Sequence, residues 1–241
     1  MTPKRLNILY LYPNQMNTYG DRGNILTLVK RCEWYGYQPV VYHHHADDYL
    51  PQTVDIVLGG GGQDSAQADI QQDIQQIAGR LHKLTAAGTP MLMVCGSYQL
   101  LGKRFVTRDN REIKGIGVFD VETYGGDRRL IGNVRVDSAS AGSLFGFENH
   151  SGRTYLSNAQ EPLGYVTRGN GNNGEDKTEG ARTQNVFGTY LHGPILPNNP
   201  QFADLLIQTA AINRYGEFVV ESLDDSVAVA AREEAQKRPY Y

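Results

Sequence analysis

A chain of 241 residues, 40% of them hydrophobic, is long enough for one large α/β domain or at most two small ones, and it can bury a sizeable core. Its net charge of −3 argues against a nucleic-acid-binding protein, whose footprint would be a basic excess. No apolar run is long enough to span a membrane, no signal-peptide pattern opens the chain, and two distant cysteines (Cys32, Cys95) form neither a disulfide framework nor a zinc motif. A soluble cytoplasmic protein is expected.

Leu6 to Tyr12 is an apolar run ending at Pro13 and reads as a first strand. Ile25 to Trp34 has helical spacing, and Pro39 to Tyr42 and Asp55 to Leu58 read as the second and third strands. Gly59-Gly60-Gly61-Gly62-Gln63-Asp64 follows, and Ile70, Ile74, Ile77 and Leu81 then mark one stripe of a long helix, with Asp64 or Ser65 as its N-cap. Met91 to Val94 is a buried strand and Ser97 to Leu101 the start of a helix. This alternation predicts a mostly parallel, doubly wound sheet.

The second half is β-rich. Gly115 to Thr123, Leu130 to Val136, Leu163 to Thr167 and Asn185 to Leu191 are strand-like, with the polar stretch Arg168 to Thr183 expected as a mobile loop. Phe202 to Ile212 reads as a helix, and Ala230 to Tyr241 as a charged helix that frays or docks on a partner. Nothing divides the chain, so a single domain over 1–241 is expected, with its core at 5–215 and a tail at 216–241.

Cys95 ends a strand and Gly96 follows it. This is the cysteine version of a nucleophile elbow, with sulfur at the carboxyl end of a sheet and beside a helix N-terminus, which favours thiolate. The segment also fits a buried structural cysteine. Its base is sought among six histidines. Consecutive strand residues point to opposite faces, so His43, His44 and His45 do not converge on one metal ion. His192 ends a strand and precedes Gly193-Pro194, repeating the placement of Cys95, and so leads over His150. The four glycines at 59–62 fit a permissive turn or a loop offering backbone N–H groups to an oxyanion. No Gly-Lys-Ser/Thr follows them, so they are not a phosphate-binding loop.

Three motifs in this order carry a resemblance: the Gly-rich loop after the third strand, Cys95-Gly96-x-x-Gln99-Leu100-Leu101-Gly102, and Tyr190-Leu191-His192-Gly193. Together they resemble the class I (triad-type) glutamine amidotransferases, in the branch with cobyric-acid-synthase-like domains. Met16-Asn17-Thr18-Tyr19-Gly20-Asp21-Arg22-Gly23-Asn24 and Gly60-Gly61-Gly62-Gln63-Asp64 further resemble the GatD family, glutaminase subunits of lipid II isoglutaminyl synthases. The resemblance covers roughly residues 5–215. It implies a flavodoxin-like α/β fold and hydrolysis of L-glutamine through a γ-glutamyl thioester on Cys95, with His192 as base. Gly61, Gly62 and Gly96 match the oxyanion donors, and Gln99 a glutamine contact. Arg129 matches a position that holds glutamine, where a guanidinium suits the α-carboxylate; the alternative is a solvated surface arginine.

The resemblance also implies a heterodimer with a Mur-ligase-like (MurT-like) subunit. That partner would receive the ammonia, contact lipid II and carry ATP and magnesium, with no cofactor or metal in this chain. The product would be D-isoglutamine, formed from D-glutamate of the lipid II stem peptide. One departure stands out: many class I enzymes read His-x-Glu, whereas here Pro194 follows His192-Gly193 and cannot orient the imidazole. Another acid of this chain, or one from the partner, has to do so, and the resemblance favours the partner. The alternatives are another cysteine hydrolase on the same scaffold (γ-glutamyl hydrolase-like or a peptidase), an amidotransferase in cobalamin-type amidation, and a non-catalytic binding subunit.

Overall fold

The computed structural model describes residues 3–237. The chain runs β1 (Arg5–Leu11), α1 (Arg22–Trp34), β2 (Gln38–His44), β3 (Ile56–Gly59), α2 (Asp64–Ala86), β4 (Met91–Val94) and α3 (Gly96–Leu101). Then come β5 (Arg104–Val106), β6 (Glu112–Lys114), β7 (Val121–Ser138), β8 (Gly142–Leu156), β9 (Gly164–Arg168), β10 (Thr178–Glu179), β11 (Ala181–Thr183) and β12 (Val186–Thr189). Helices α4 (Ile195–Asn198), α5 (Pro200–Tyr215) and α6 (Ser226–Gln236) close the order.

The first sheet has the order β11-β12-β4-β3-β1-β2 and is parallel except for β11. Strands β3, β4 and β12 are buried along their whole length, as expected where helices cover both faces of a sheet. β2 lies at the edge, where Pro39 removes no needed ladder bond. Leu28 of α1, Ile70, Ile74 and Leu81 of α2, and Phe202 and Leu206 of α5 complete the core around these strands. The expected parallel α/β sheet is what the chain forms.

The second sheet runs β10-β9-β7-β5-β6, with β8 paired to β7 in a long antiparallel ribbon. Several expectations change here. Of the expected strand from Gly115, only the part from Val121 on is extended. The sequence pattern does not announce β8, because its glycines and polar residues blur any two-residue alternation. Arg168 to Thr183 is not a mobile loop: it contains β10 and β11, and the polar side chains of Asn172, Asn173 and Glu179 are buried. Buried Asn172 bonds both the N–H (3.0 Å) and the C=O (2.9 Å) of Gly180. Buried Glu148 accepts from the N–H groups of Asn170 (3.0 Å) and Gly171 (2.9 Å). The α2 N-cap is Gln63, with Asp64 the first helical residue.

The tail helix α6 is tied back through Arg232, which donates to the Ser143 carbonyl at 2.8 Å. Residues 238–241 of the expected terminal helix lie outside the described residues. Among the described residues no helix is long and apolar enough to cross a membrane.

Candidate active site

Strand order assembles the site. β12, β4, β3 and β1 are consecutive neighbours, so the chain leaving their carboxyl ends converges on one rim. β12 leads to His192, β4 to Cys95, β3 to Gly60–Gly62, and β1 to the segment carrying Tyr19 and Asp21.

Cys95 sits at φ 50°, ψ −105°, a conformation sparsely populated by any residue but glycine. Its N–H is held by the Thr189 carbonyl at 2.8 Å, and the Ser97 hydroxyl donates to the Gly60 carbonyl at 2.7 Å. The turn is thus pinned from both flanking strands. Close approach explains the glycines before α2. A Cβ on Gly60 would lie 2.1 Å from the Met16 carbonyl oxygen. On Gly61 it would lie 2.9 Å from His192 Cε1 and 3.2 Å from both Cys95 Cβ and Asp21 Oδ2. Cysteine, histidine and aspartate therefore surround a single point.

His192 is 2% exposed. Its backbone is clamped by Phe147 of β8 through two hydrogen bonds of 2.8 and 3.0 Å, so the second sheet grips the residue that the first delivers. An acid does face the ring from within this chain: Asp21 Oδ1 lies 3.6 Å from His192 Nδ1, and both side chains are buried. The site thus contains a carboxylate where Pro194 left a gap. Burial by itself would lower the imidazole pKa, but Asp21 and the Cys95 sulfur outweigh it and push the ring up to about 10. The ring is a strong proton acceptor beside a thiol. The Tyr19 ring packs on it at 4.4 Å between centroids.

Asp21 also revises one expected oxyanion donor. Its Oδ2 accepts the Gly61 N–H at 2.7 Å, so that N–H is already committed. Gly62 and Gly96 remain. A Cβ on Gly96 would lie 3.0 Å from the Gly62 nitrogen, and Gly96, the first residue of α3, has no intrahelical acceptor for its own N–H.

Beside the thiol is a cavity of about 320 Å³ lined by Tyr19, Gly62, Asp64, Gln99, Arg129 and His150, among others. Arg129 is exposed on β7. It donates to Asn149 Oδ1 (2.8 Å), the Asn149 carbonyl (2.7 Å) and the Tyr19 hydroxyl (2.8 Å). The Gln99 amide is used inside the protein, accepting from Gln67 at 2.7 Å and donating to the Tyr190 hydroxyl at 3.0 Å; it forms the cavity wall and braces Tyr190. His150 lies flat on the Tyr190 ring, 3.7 Å between centroids and 7° between planes. Buried Glu179 fixes the end of β12, accepting from the Thr189 hydroxyl (2.6 Å) and the Tyr190 N–H (2.8 Å).

Of the seven site residues expected from sequence, Gly62, Cys95, Gln99 and Arg129 line the cavity, while His192, Gly61 and Gly96 lie beside Cys95 outside its lining, with Gly61 in a different role. No sequence motif assigns a role to Asp21, Tyr19 or Glu179. For the first two the signal lay in the Thr18-Tyr19-Gly20-Asp21 stretch after the first strand. Of the histidine triplet, His44 ends the edge strand β2, is buried and bonded to Asp73 at 2.8 Å, and does not line the cavity.

A family model for the CobB/CobQ-like glutamine amidotransferase domain matches residues 7–200. The chain is 37% identical over 229 residues to the subunit GatD of lipid II isoglutaminyl synthase (glutamine-hydrolysing) from Staphylococcus aureus, covering 95% of this chain and 93% of that protein. It is 41% identical over 220 residues to the subunit of the same name from Streptococcus pneumoniae, covering 89% of this chain and 84% of that one. In fold it resembles a chain of PurLQS from Thermotoga maritima (TM-score 0.57, 13% identity, 86% of this chain and 98% of that chain).

Proposed function

The chain belongs to the CobB/CobQ-like glutamine amidotransferases, and from that premise we propose that it is the glutaminase subunit of a lipid II isoglutaminyl synthase. It hydrolyses L-glutamine and passes the ammonia to a Mur-ligase-like partner in a cytoplasmic heterodimer. The partner carries ATP and magnesium and amidates D-glutamate of the lipid II stem peptide to D-isoglutamine, a step of peptidoglycan synthesis. The support for this assignment is the identity to two GatD subunits over nearly the whole chain.

The observation that carries the chemistry is Cys95 on a strained strand-to-helix turn with His192 and Asp21 beside it. The Cys95 sulfur attacks the γ-carbonyl carbon of glutamine as a thiolate paired with protonated His192. The N–H groups of Gly62 and Gly96 receive the developing oxyanion. His192 returns the proton to the departing ammonia, leaving a γ-glutamyl thioester. Water, deprotonated by the same imidazole, cleaves it to glutamate. Arg129 holds the α-carboxylate, and Gln99 shapes the wall behind it.

Cys95→Ala should abolish release of glutamate and ammonia and prevent labelling by a glutamine-like electrophile, while leaving the fold intact. Retained glutaminase activity would overturn the assignment. Co-purification with a Mur-ligase-like protein, with glutamine hydrolysis rising in the complex and lipid II becoming amidated, tests the partner.

A further inference from the structure

His150 Nε2 is used in no step above. The side chain is 2% exposed and lines the cavity beside Cys95, yet this nitrogen has no hydrogen-bond partner among the described residues. Its other nitrogen, Nδ1, lies 2.8 Å from the Gly152 carbonyl. A carbonyl only accepts, so Nδ1 carries the proton and a neutral ring presents a bare lone pair at Nε2. Burial keeps the ring neutral, drawing its pKa down to about 3. A buried acceptor without a donor is unfavourable unless a ligand supplies one.

The ribbon shows which donor fits. His150 is the register partner of Leu130, next to Arg129, and Arg129 in turn is bonded to Asn149, next to His150. Arg129 and His150 both line the cavity, carried by neighbouring strands of the ribbon. In an α-amino acid the carboxylate and the ammonium share one carbon. If Arg129 takes the first, the second falls to its neighbour.

We infer that His150 Nε2 accepts a hydrogen bond from the α-ammonium of bound glutamine and is a specificity-determining residue for α-amino acid amides. This rests on the glutaminase reading and on Arg129 holding the carboxylate. Asp64, on the same cavity lining, is the competing acceptor.

The test compares kcat/KM for glutamine and for glutaramate, its analogue without the amino group, using the complex with the ligase partner. In His150→Asn the amide nitrogen can replace Nδ1 on Gly152 but nothing replaces Nε2. The preference for glutamine should fall about 10- to 100-fold, mostly through KM, the range for a hydrogen bond to a charged group. In His150→Gln an oxygen reaches towards the Nε2 position, and most of the preference should survive. Glutamine binding measured by calorimetry in a Cys95→Ala background should follow the same order without turnover.

Equal losses on both substrates, rescue by Asn rather than Gln, or collapse of the preference only in Asp64→Asn would each overturn the inference while leaving the glutaminase assignment standing. Wild-type complex that hydrolyses neither amide would overturn both.

Discussion

Replacing Asp21 by Asn separates the roles of its two oxygens. The carboxylate faces two groups at once: the Gly61 N–H at 2.7 Å and His192 Nδ1 at 3.6 Å. Both are donors when the imidazole is set to take a proton at Nε2. An amide offers one oxygen and one NH₂, so Asn satisfies only one of them. Turned towards Gly61, it points NH₂ at His192 and selects the tautomer with its proton on Nε2, which cannot act as base. Turned the other way, it breaks the Gly-rich loop. At 3.6 Å the Asp21–His192 contact is a charge pair and not a hydrogen bond, and such a neighbour is worth about 1.4–4 kcal/mol, about 10- to 10³-fold in rate. The wrong tautomer carries the loss in kcat towards about 10³–10⁴-fold, with KM little changed. Glutamate release at saturating glutamine measures it, with the protein alone and with its partner. A kcat within about threefold of wild type in both conditions would refute Asp21 as the orienting acid and return that role to a carboxylate from the partner.

His192 makes stability pH-dependent. Its folded pKa is raised from 6.5 to about 10, so between those values the native state holds a proton that the unfolded chain has released. The contribution is complete below about pH 6.5 and disappears as pH rises through about 10. Denaturant melts across that window should show wild type losing more stability than His192→Asn, and parallel curves would contradict it. Two glycines respond in opposite senses. Gly60→Ala pushes a methyl to 2.1 Å from the Met16 carbonyl oxygen and should destabilise the fold by several kcal/mol, on the order of other overpacked sites. Gly79→Ala, within α2 with open space around it, should stabilise by about 0.5–1 kcal/mol and raise Tm by about 1–4 °C in a thermal melt.

The nucleophile turn is legible in sequence because four apolar residues before Cys95 and a glycine after it leave few conformations open. His192 is legible for the same reason, as a polar residue closing an apolar strand. Asp21 is not. Its contact with His192 depends on β12 returning from far along the chain to lie in the same sheet as β1, with β4 and β3 between them, which no local pattern records. Gly61 resembles a free donor in sequence because only the folded chain brings a carboxylate to its N–H. The segment 168–183 resembles a loop because its asparagines and Glu179 are polar. Their buried bonds to backbone groups are what make it rigid.

The backbone at Cys95 is held against its own preference, at about 1–3 kcal/mol for such a conformation. The hold comes from neighbours: the Thr189 carbonyl on one side and the Ser97–Gly60 contact on the other. Sulfur exposure and sheet integrity are thereby one property. A molecule that loses either contact frees the torsion and draws its thiol out of register with the imidazole, so opening of the sheet beside β4 costs activity directly.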